Sequence, residues 1–374
     1  MTVEHQRISF FLPTLAGGGA ERAMLHLAEG FADRGFGVDL VLAEASGEYL
    51  DQVAPKIRIV DLKSTPPVIV TKTLALKRYL QQERPSVLFS ALDILSSALW
   101  ARWQTDAPTK IVMCVQTYLS EQFGNHQRNT IGRLRPQMVR WLYPKADAIV
   151  AASLGTAKDV AEITGLPIDR IGVVYNPVVT PEMQAKIHDS IDHPWFAPDQ
   201  PPVLLGVGRL VSQKDFFTLI RAFAEVHAVR PARLMILGEG EQRSQLEQLI
   251  RDLQLDADVA LPGFVENPYA YMAHATIFVL SSRYEGFGNV VAEALATGTA
   301  VVSTDCPSGP AEILDYGKYG KLVPTENPSA LATAILETLD TSTDSDALKA
   351  RSLEFTRDRI VDQYLTVVEQ LTSS

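Results

Sequence analysis

Two glutamates and two cations carry most of the chemistry this chain offers. Glu285 and Glu293 lie in the stretch Ser281-Ser282-Arg283-Tyr284-Glu285-Gly286-Phe287-Gly288-Asn289-Val290-Val291-Ala292-Glu293-Ala294. Gly286 and Gly288 keep the turn open, Asn289 reads as a helix N-cap, and Val290 and Val291 begin the helix. The free N–H groups of such a helix start attract anions. Glu285, on the loop, can accept hydrogen bonds from sugar hydroxyls. Glu293, one turn further in, can accept two from a ribose diol. Taken singly, Glu285 reads better as a turn residue and Glu293 as a surface helix charge. Two carboxylates flanking one glycine-bearing helix start favour a site. Arg209 and Lys214 lie in Gly208-Arg209-Leu210-Val211-Ser212-Gln213-Lys214-Asp215, at a strand's carboxyl end. Arg as a planar fork and Lys as a point charge suit a diphosphate. Two solvated loop charges are the plain alternative.

A third candidate is the run Ala16-Gly17-Gly18-Gly19-Ala20-Glu21-Arg22, between a strand and a helix. Its glycines let a ligand approach the backbone. It fails the dinucleotide fingerprint, because Arg22 occupies the third glycine position. In the second half, Gly206 and Gly208 are followed by Val211 and fail likewise. A nicotinamide or flavin enzyme is therefore disfavoured, and a plain βα turn without ligand stays open.

The elements that must position these residues alternate along the chain. Apolar runs at 8–15, 37–43, 86–90, 110–116 and 148–153 read as strands, and a second series follows at 203–210, 233–240, 259–264, 276–282 and 300–305. Helical stretches at 20–34, about 215–228, 241–253, 288–297 and 327–339 lie between strands, and 347–371 reads as one amphipathic helix. Alternating β and α units predict parallel sheets covered by helices. The prolines crowding 177–202 mark a join. The expected fold is α/β, with two Rossmann-like doubly wound parallel sheets facing a central cleft. The expected domains are 1–180, 181–350 and a terminal helix, 351–374. Ligands of open α/β sheets bind beyond the strands' carboxyl ends, which places the site in that cleft.

Composition narrows the class. The 374 residues are 46% hydrophobic and 21% charged, with a net charge of −10. That suits folded domains and argues against disorder and against a general nucleic-acid binder. Residues 1–180 carry a net +2 and the remainder −12, so the first half is the one suited to an anionic surface. Two cysteines, Cys114 and Cys306, fit a reducing cytosol and exclude a disulfide scaffold. No apolar run is long enough to span a membrane, and the N-terminus does not read as a signal peptide. A cytoplasmic protein is expected.

Glu285 and Glu293, with seven residues between them, match the E-x7-E motif of retaining glycosyltransferases of the GT-B fold. The chain resembles family 4, the glycosyltransferases group 1. The likeness is carried by AGGGAER (16–22), VGRLVSQKDFFTLIRAF (207–223), LGEGEQR (237–243), LPGFVENP (261–268), SSRYEGFGNVVAEALATGTAVVSTDCPSGPAEIL (281–314) and GKLVP (320–324). It implies a nucleotide-sugar donor, UDP-linked by family habit, held by the second domain. Arg209 and Lys214 would grip the diphosphate, with N–H groups of Asn289 and Val290 beside Gly288. Glu293 would hold the ribose, and backbone near Phe264 and Val265 the base edge. Glu285 would contact the transferred sugar, and Gly18 and Gly19 would lie near the diphosphate across the cleft. The last helix would cross back to brace the first domain. The implied reaction moves a hexose or N-acetylhexosamine, with retention, to a glycan or lipid-linked glycan.

Several positions depart from the family or mislead. Gln116 stands where many members have a histidine near the transferred sugar; it can hydrogen-bond but cannot become cationic. His126, nearby, reads as surface. Asp256-Ala257-Asp258 mimics a D-x-D metal signature but falls in a turn at the amino end of a strand. No His/Cys cluster has metal spacing, so no metal is expected to be required. Residues 122–145 hold Arg128, Arg133, Arg135, Arg140 and Lys145 and no acid, with Leu134, Met138, Trp141 and Leu142 at roughly helical spacing. The stripe reads either as core or as a contact with an anionic membrane surface. Two rivals to a transferase remain: a nucleotide-sugar epimerase of similar fold, and a non-catalytic sugar-nucleotide-binding partner subunit.

Overall fold

The computed structural model describes residues 7–66, 68–125 and 130–373. Two compact units divide the chain: one holds the residues up to Val178 and those from Arg357 on, the other Val179–Thr356.

The first unit is a parallel sheet of β1 (Arg7–Leu12), β2 (Gly37–Leu42), β3 (Arg58–Asp61), β4 (Val87–Ala91), β5 (Lys110–Val115), β6 (Ala148–Ala151) and β7 (Ile171–Val173). Its spatial order is β3-β2-β1-β4-β5-β6-β7. Between strands run α1 (Gly19–Asp33), α2 (Val68–Glu83), α3 (Ser97–Trp103), α4 (Leu119–Asn125), α5 (Thr130–Leu142) and α6 (Leu154–Thr164). Central strands such as β1 are near-continuous apolar runs because helices cover both sheet faces. Side chains of β1 alternate accordingly. Ile8, Phe10 and Leu12 join the α1 side, while Phe11 joins the side of α2, α3, α5 and α6. The one fully buried charge of β2, Asp39, is held by Arg7 at 2.7 Å, Arg58 at 2.6 Å and the Tyr79 hydroxyl at 2.6 Å.

The second unit opens with α7 (Pro181–Lys186) and builds a parallel sheet from β8 (Val203–Val207), β9 (Arg233–Leu237), β10 (Val259–Gly263), β11 (Ile277–Leu280), β12 (Ala300–Thr304) and β13 (Lys321–Val323). The order is β10-β9-β8-β11-β12-β13. Its helices are α8 (Phe216–Val229), α9 (Arg243–Asp252), α10 (Pro268–His274), α11 (Asn289–Thr297), α12 (Pro310–Ile313), α13 (Pro328–Leu339) and α14 (Ser345–Ser352). In both sheets the order reverses beside the first strand, between β1 and β4 and between β8 and β11. Such a reversal opens a crevice at the carboxyl ends of those two strands.

Three strands, β3, β7 and β13, escape the sequence reading. All three lie at sheet edges and are largely exposed or half-buried, so they lack the apolar run that marks a central strand. The segment 347–371 is two helices rather than one. α14 ends at Ser352, and Thr356 turns extended before α15 (Arg357–Thr372). Phe355 anchors the break, packing on Phe287 at 5.5 Å while its carbonyl accepts from Val179 N at 3.0 Å. α15 then belongs to the first unit's core, where Tyr364 meets the Phe89 ring edge-on at 5.5 Å. Gly30 on α1 permits this approach, since a Cβ there would sit 2.4 Å from Val361 Cγ2.

Candidate active site

The predicted cations and Glu285 come from the two loops that leave β8 and β11, the strands flanking the second sheet's reversal. The β8 loop carries Arg209 and Lys214 before α8; the β11 loop carries Ser281 to Gly288 before α11. Several bonds tie the two loops together. Arg283 N donates to Gln213 O at 2.8 Å, Gln213 Nε2 to Tyr284 O at 3.0 Å, and Ser281 Oγ to Lys214 O at 2.8 Å. Arg283 also reaches the buried Asp215 at 3.4 Å.

This lacing brings Lys214 and Glu285 into contact. Lys214 Nζ donates to Glu285 Oε1 at 2.6 Å, and the Ser282 hydroxyl donates to the same oxygen at 2.6 Å. Both ion-pair side chains are largely buried, at 15% and 8% exposure. A buried pair of opposite charges avoids the penalty either would meet alone. Ser282 is itself fixed, because Thr304 Oγ1 donates to its carbonyl at 2.7 Å. The Lys214 and Ser282 bonds to the Glu285 carboxylate thus converge on Oε1. Burial, and next the charge of Glu285, push the Cys306 thiol up, so this cysteine stays a neutral thiol rather than a nucleophile.

The helix start differs by one residue from its sequence reading. Gly288, not Asn289, is the N-cap, at φ 94°, and Asn289 is the first helical residue. Only glycine holds that left-handed backbone without strain, so the chain can turn sharply enough to begin α11 directly. Asn289 and Val290 therefore occupy the first turn, where N–H groups have no intrahelical acceptor. Glu293 follows on the same helix and is buried. Arg209 is exposed, and among the described residues no carboxylate pairs with it. Phe264, 58% exposed, and Val265 directly follow β10.

Gly18, Gly19 and Gln116 belong to the first unit. Gly18 caps α1, which begins at Gly19, one residue earlier than read from sequence. Gln116 follows β5; its Nε2 approaches Met24 Sδ at 3.9 Å, while its buried Oε1 has no hydrogen-bond partner among the described residues. His126 lies outside the described residues. Asp258, of the D-x-D mimic, pairs with Arg233 at 3.0 Å and His227 at 3.4 Å at the amino end of β10. Among the described residues no group of three or more His, Cys, Asp or Glu is placed to hold a metal, and no helix is long and apolar enough to cross a membrane.

Sequence reasoning missed Ser282, Gln213 and Thr304, the groups that orient Glu285 and its loop. The serine doublet before Arg283 was the available signal. It also assigned Lys214 and Glu285 separate ligand contacts and did not foresee their direct bond.

Comparison with known proteins agrees with this geometry. The family model for glycosyl transferases group 1 matches residues 201–341, and that for glycosyltransferase family 4 matches residues 17–181. The chain is 30% identical over 335 residues to N-acetylgalactosamine-N,N'-diacetylbacillosaminyl-diphospho-undecaprenol 4-alpha-N-acetylgalactosaminyltransferase of Campylobacter jejuni, covering 87% of this chain and 88% of that one. Among solved structures, a glycosyltransferase from Rickettsia africae superposes with a TM-score of 0.79 at 17% identity, covering 98% of both chains. Anabaena HepE in complex with UDP and glucose gives 0.77 at 21% identity, covering 98% of this chain and 100% of that one. Two parallel-sheet units with these neighbours define the GT-B fold. The chain belongs to the group 1, family 4 glycosyltransferases and is a transferase enzyme.

Proposed function

We propose that this enzyme moves a hexose or N-acetylhexosamine from a UDP-sugar to a lipid-linked glycan, with retention at the anomeric carbon and without a metal ion. The observation that carries the reading is the Lys214–Glu285 pair at the crevice of the second sheet, next to the start of α11. The leaving group is a nucleoside diphosphate, so departing negative charge must be met as the C1–O bond breaks. Arg209, Lys214 and the N–H groups of Asn289 and Val290 offer two cations and two backbone donors for it. Lys214 need not abandon Glu285, because an ammonium has three donors. Those groups do the neutralising that a divalent ion does elsewhere, and this favours a metal-free reaction.

Glu285 keeps a carboxylate beside the transferred sugar, where positive charge develops on the ring. An incoming acceptor hydroxyl then bonds to C1 from the face the diphosphate leaves and gives its proton to the departing phosphate oxygen. Glu293 receives the ribose diol, and backbone near Phe264 and Val265 the base. The unsatisfied Oε1 of Gln116 suits a sugar hydroxyl, which offsets the absence of the family's histidine.

Support for the donor comes from the UDP and glucose named for HepE. Support for the acceptor comes from the diphospho-undecaprenol-linked glycan named for the Campylobacter relative, whose name also carries an alpha linkage. The test is a panel of UDP- and GDP-sugars with polyprenyl-diphosphate-linked glycans, in EDTA, reading nucleoside diphosphate release and the product's anomeric configuration. Release of UDP with an axial product from an axial donor is expected. Inversion, or activity that disappears in EDTA and returns with a divalent ion, would refute the mechanism.

A further inference from the structure

α6 holds a carboxylate that the proposed reaction does not use. Asp159 is 2% exposed. Its Oδ2 accepts from Leu119 N at 2.6 Å and from Ser120 N at 3.2 Å, and the Ser120 hydroxyl donates to Oδ1. Among the described residues these are the donors its side chain meets, and no cation pairs with it. Burial raises the pKa of its carboxyl, while the bonds from Ser120 and Leu119 pull it back down. A buried charge is costly without partners, and packing does not call for one here. Ala157 and Val160, on the same helix, are apolar and fully buried. The three donors are what the charge serves.

Those donors belong to one short piece of chain, the first turn of α4. Backbone N–H groups there have no intrahelical acceptor, and Tyr118, just before the helix, is not a capping residue. Asp159 therefore supplies the cap from another helix. The near end of the same stretch is fixed as well. β5 ends at Val115, whose carbonyl accepts from Ala152 N at 3.0 Å. Only Gln116, Thr117 and Tyr118 bridge the strand end and the cap. The buried Oε1 of Gln116 has no hydrogen-bond partner among the described residues. A freely moving loop would turn such an oxygen to water. A loop held at both ends keeps it in place.

We infer that Asp159 is a positioning residue: by clamping Leu119 and Ser120 it fixes the three-residue loop that presents the Gln116 side-chain oxygen to a sugar hydroxyl. The inference rests on the sugar contact proposed above for Gln116. The clamp itself does not depend on the reaction.

D159A, Q116A and the double variant test it. D159A should lower kcat for sugar transfer roughly 10- to 100-fold, while affinity for UDP, which carries no sugar to transfer, stays unchanged. S120A removes one of the two residues that donate a side-chain bond and should lower kcat less. Because Asp159 acts through Gln116, D159A should cost almost nothing further in the Q116A protein. D159N keeps the size of the side chain and replaces D159A if that variant fails to fold. Amide exchange at Leu119 and Ser120, read without substrate, should quicken in the Asp159 variants while β5 stays protected. Four outcomes would overturn the inference: an unchanged kcat in D159A, an unchanged kcat in Q116A, losses that multiply in full in the double variant, or unchanged exchange. A wild type that transfers no sugar, with exchange still quickened in D159A, would indict the proposed function and leave the clamp standing.

Discussion

Lys214 Nζ and Glu285 Oε1 meet at 2.6 Å although they stand 71 positions apart in sequence. Each leaves the carboxyl end of a different central strand, β8 or β11, at the reversal of one sheet. An ion pair made there places both signs of charge at one crevice; in the proposed reaction the cation meets the leaving diphosphate and the carboxylate the sugar.

Removing one member should therefore harm stability and rate differently. K214A leaves Glu285 buried without its cation and should cost about 1–3 kcal/mol of stability. The double variant K214A/E285Q should recover part of that loss, because no buried charge is left alone. Both should lower turnover roughly 100-fold or more. Thermal unfolding of the four proteins of this cycle checks the first claim. Equal melting temperatures for K214A and K214A/E285Q would contradict it.

Ser282 should act through Glu285. Its hydroxyl bonds the same carboxylate oxygen as Lys214, and a hydrogen bond to a charged group is worth about 1.5–3 kcal/mol. S282A should lower kcat roughly tenfold while the donor KM changes little, and S282T should restore part of the rate. A rise in KM with unchanged kcat would make Ser282 a donor-binding residue instead.

How much of this was open to sequence depends on where each residue sits. The central strands and the loops holding Arg209, Lys214 and Glu285 were legible, since buried parallel strands announce themselves as apolar runs. Edge strands such as β13 were not, because they bury too little. The break at Thr356 was hidden for a different reason: Phe355 earns its place through Phe287 and Val179, far off in sequence. The Lys214–Glu285 bond belongs to the same class. Each residue suggested its own ligand contact, and only the adjacency of β8 and β11 brings them together.

Gly288 should resist substitution. At φ 94° any L side chain is strained, and a Cβ would meet Pro310 Cγ at 3.3 Å. G288A should cost about 1–2 kcal/mol and weaken UDP binding by disturbing the first turn of α11. Calorimetry on the folded variant checks this; unchanged UDP affinity would remove the helix start from the donor site.

Neither cysteine should behave as a nucleophile. Burial pushes Cys114 up to about 12 and raises Cys306 as well, so both stay protonated as pH rises through 8. Iodoacetamide at that pH should leave the native protein unlabelled and modify both thiols in urea. Rapid labelling of Cys306 in the native state would show that its pocket opens.

The most direct measurement is a calorimetric titration with UDP, in EDTA, of the wild type, R209A and K214A. The account predicts metal-free binding by the wild type and a loss of affinity of roughly tenfold or more in each variant. Equal UDP affinity in all three folded proteins would contradict it and would place the diphosphate away from the β8 loop.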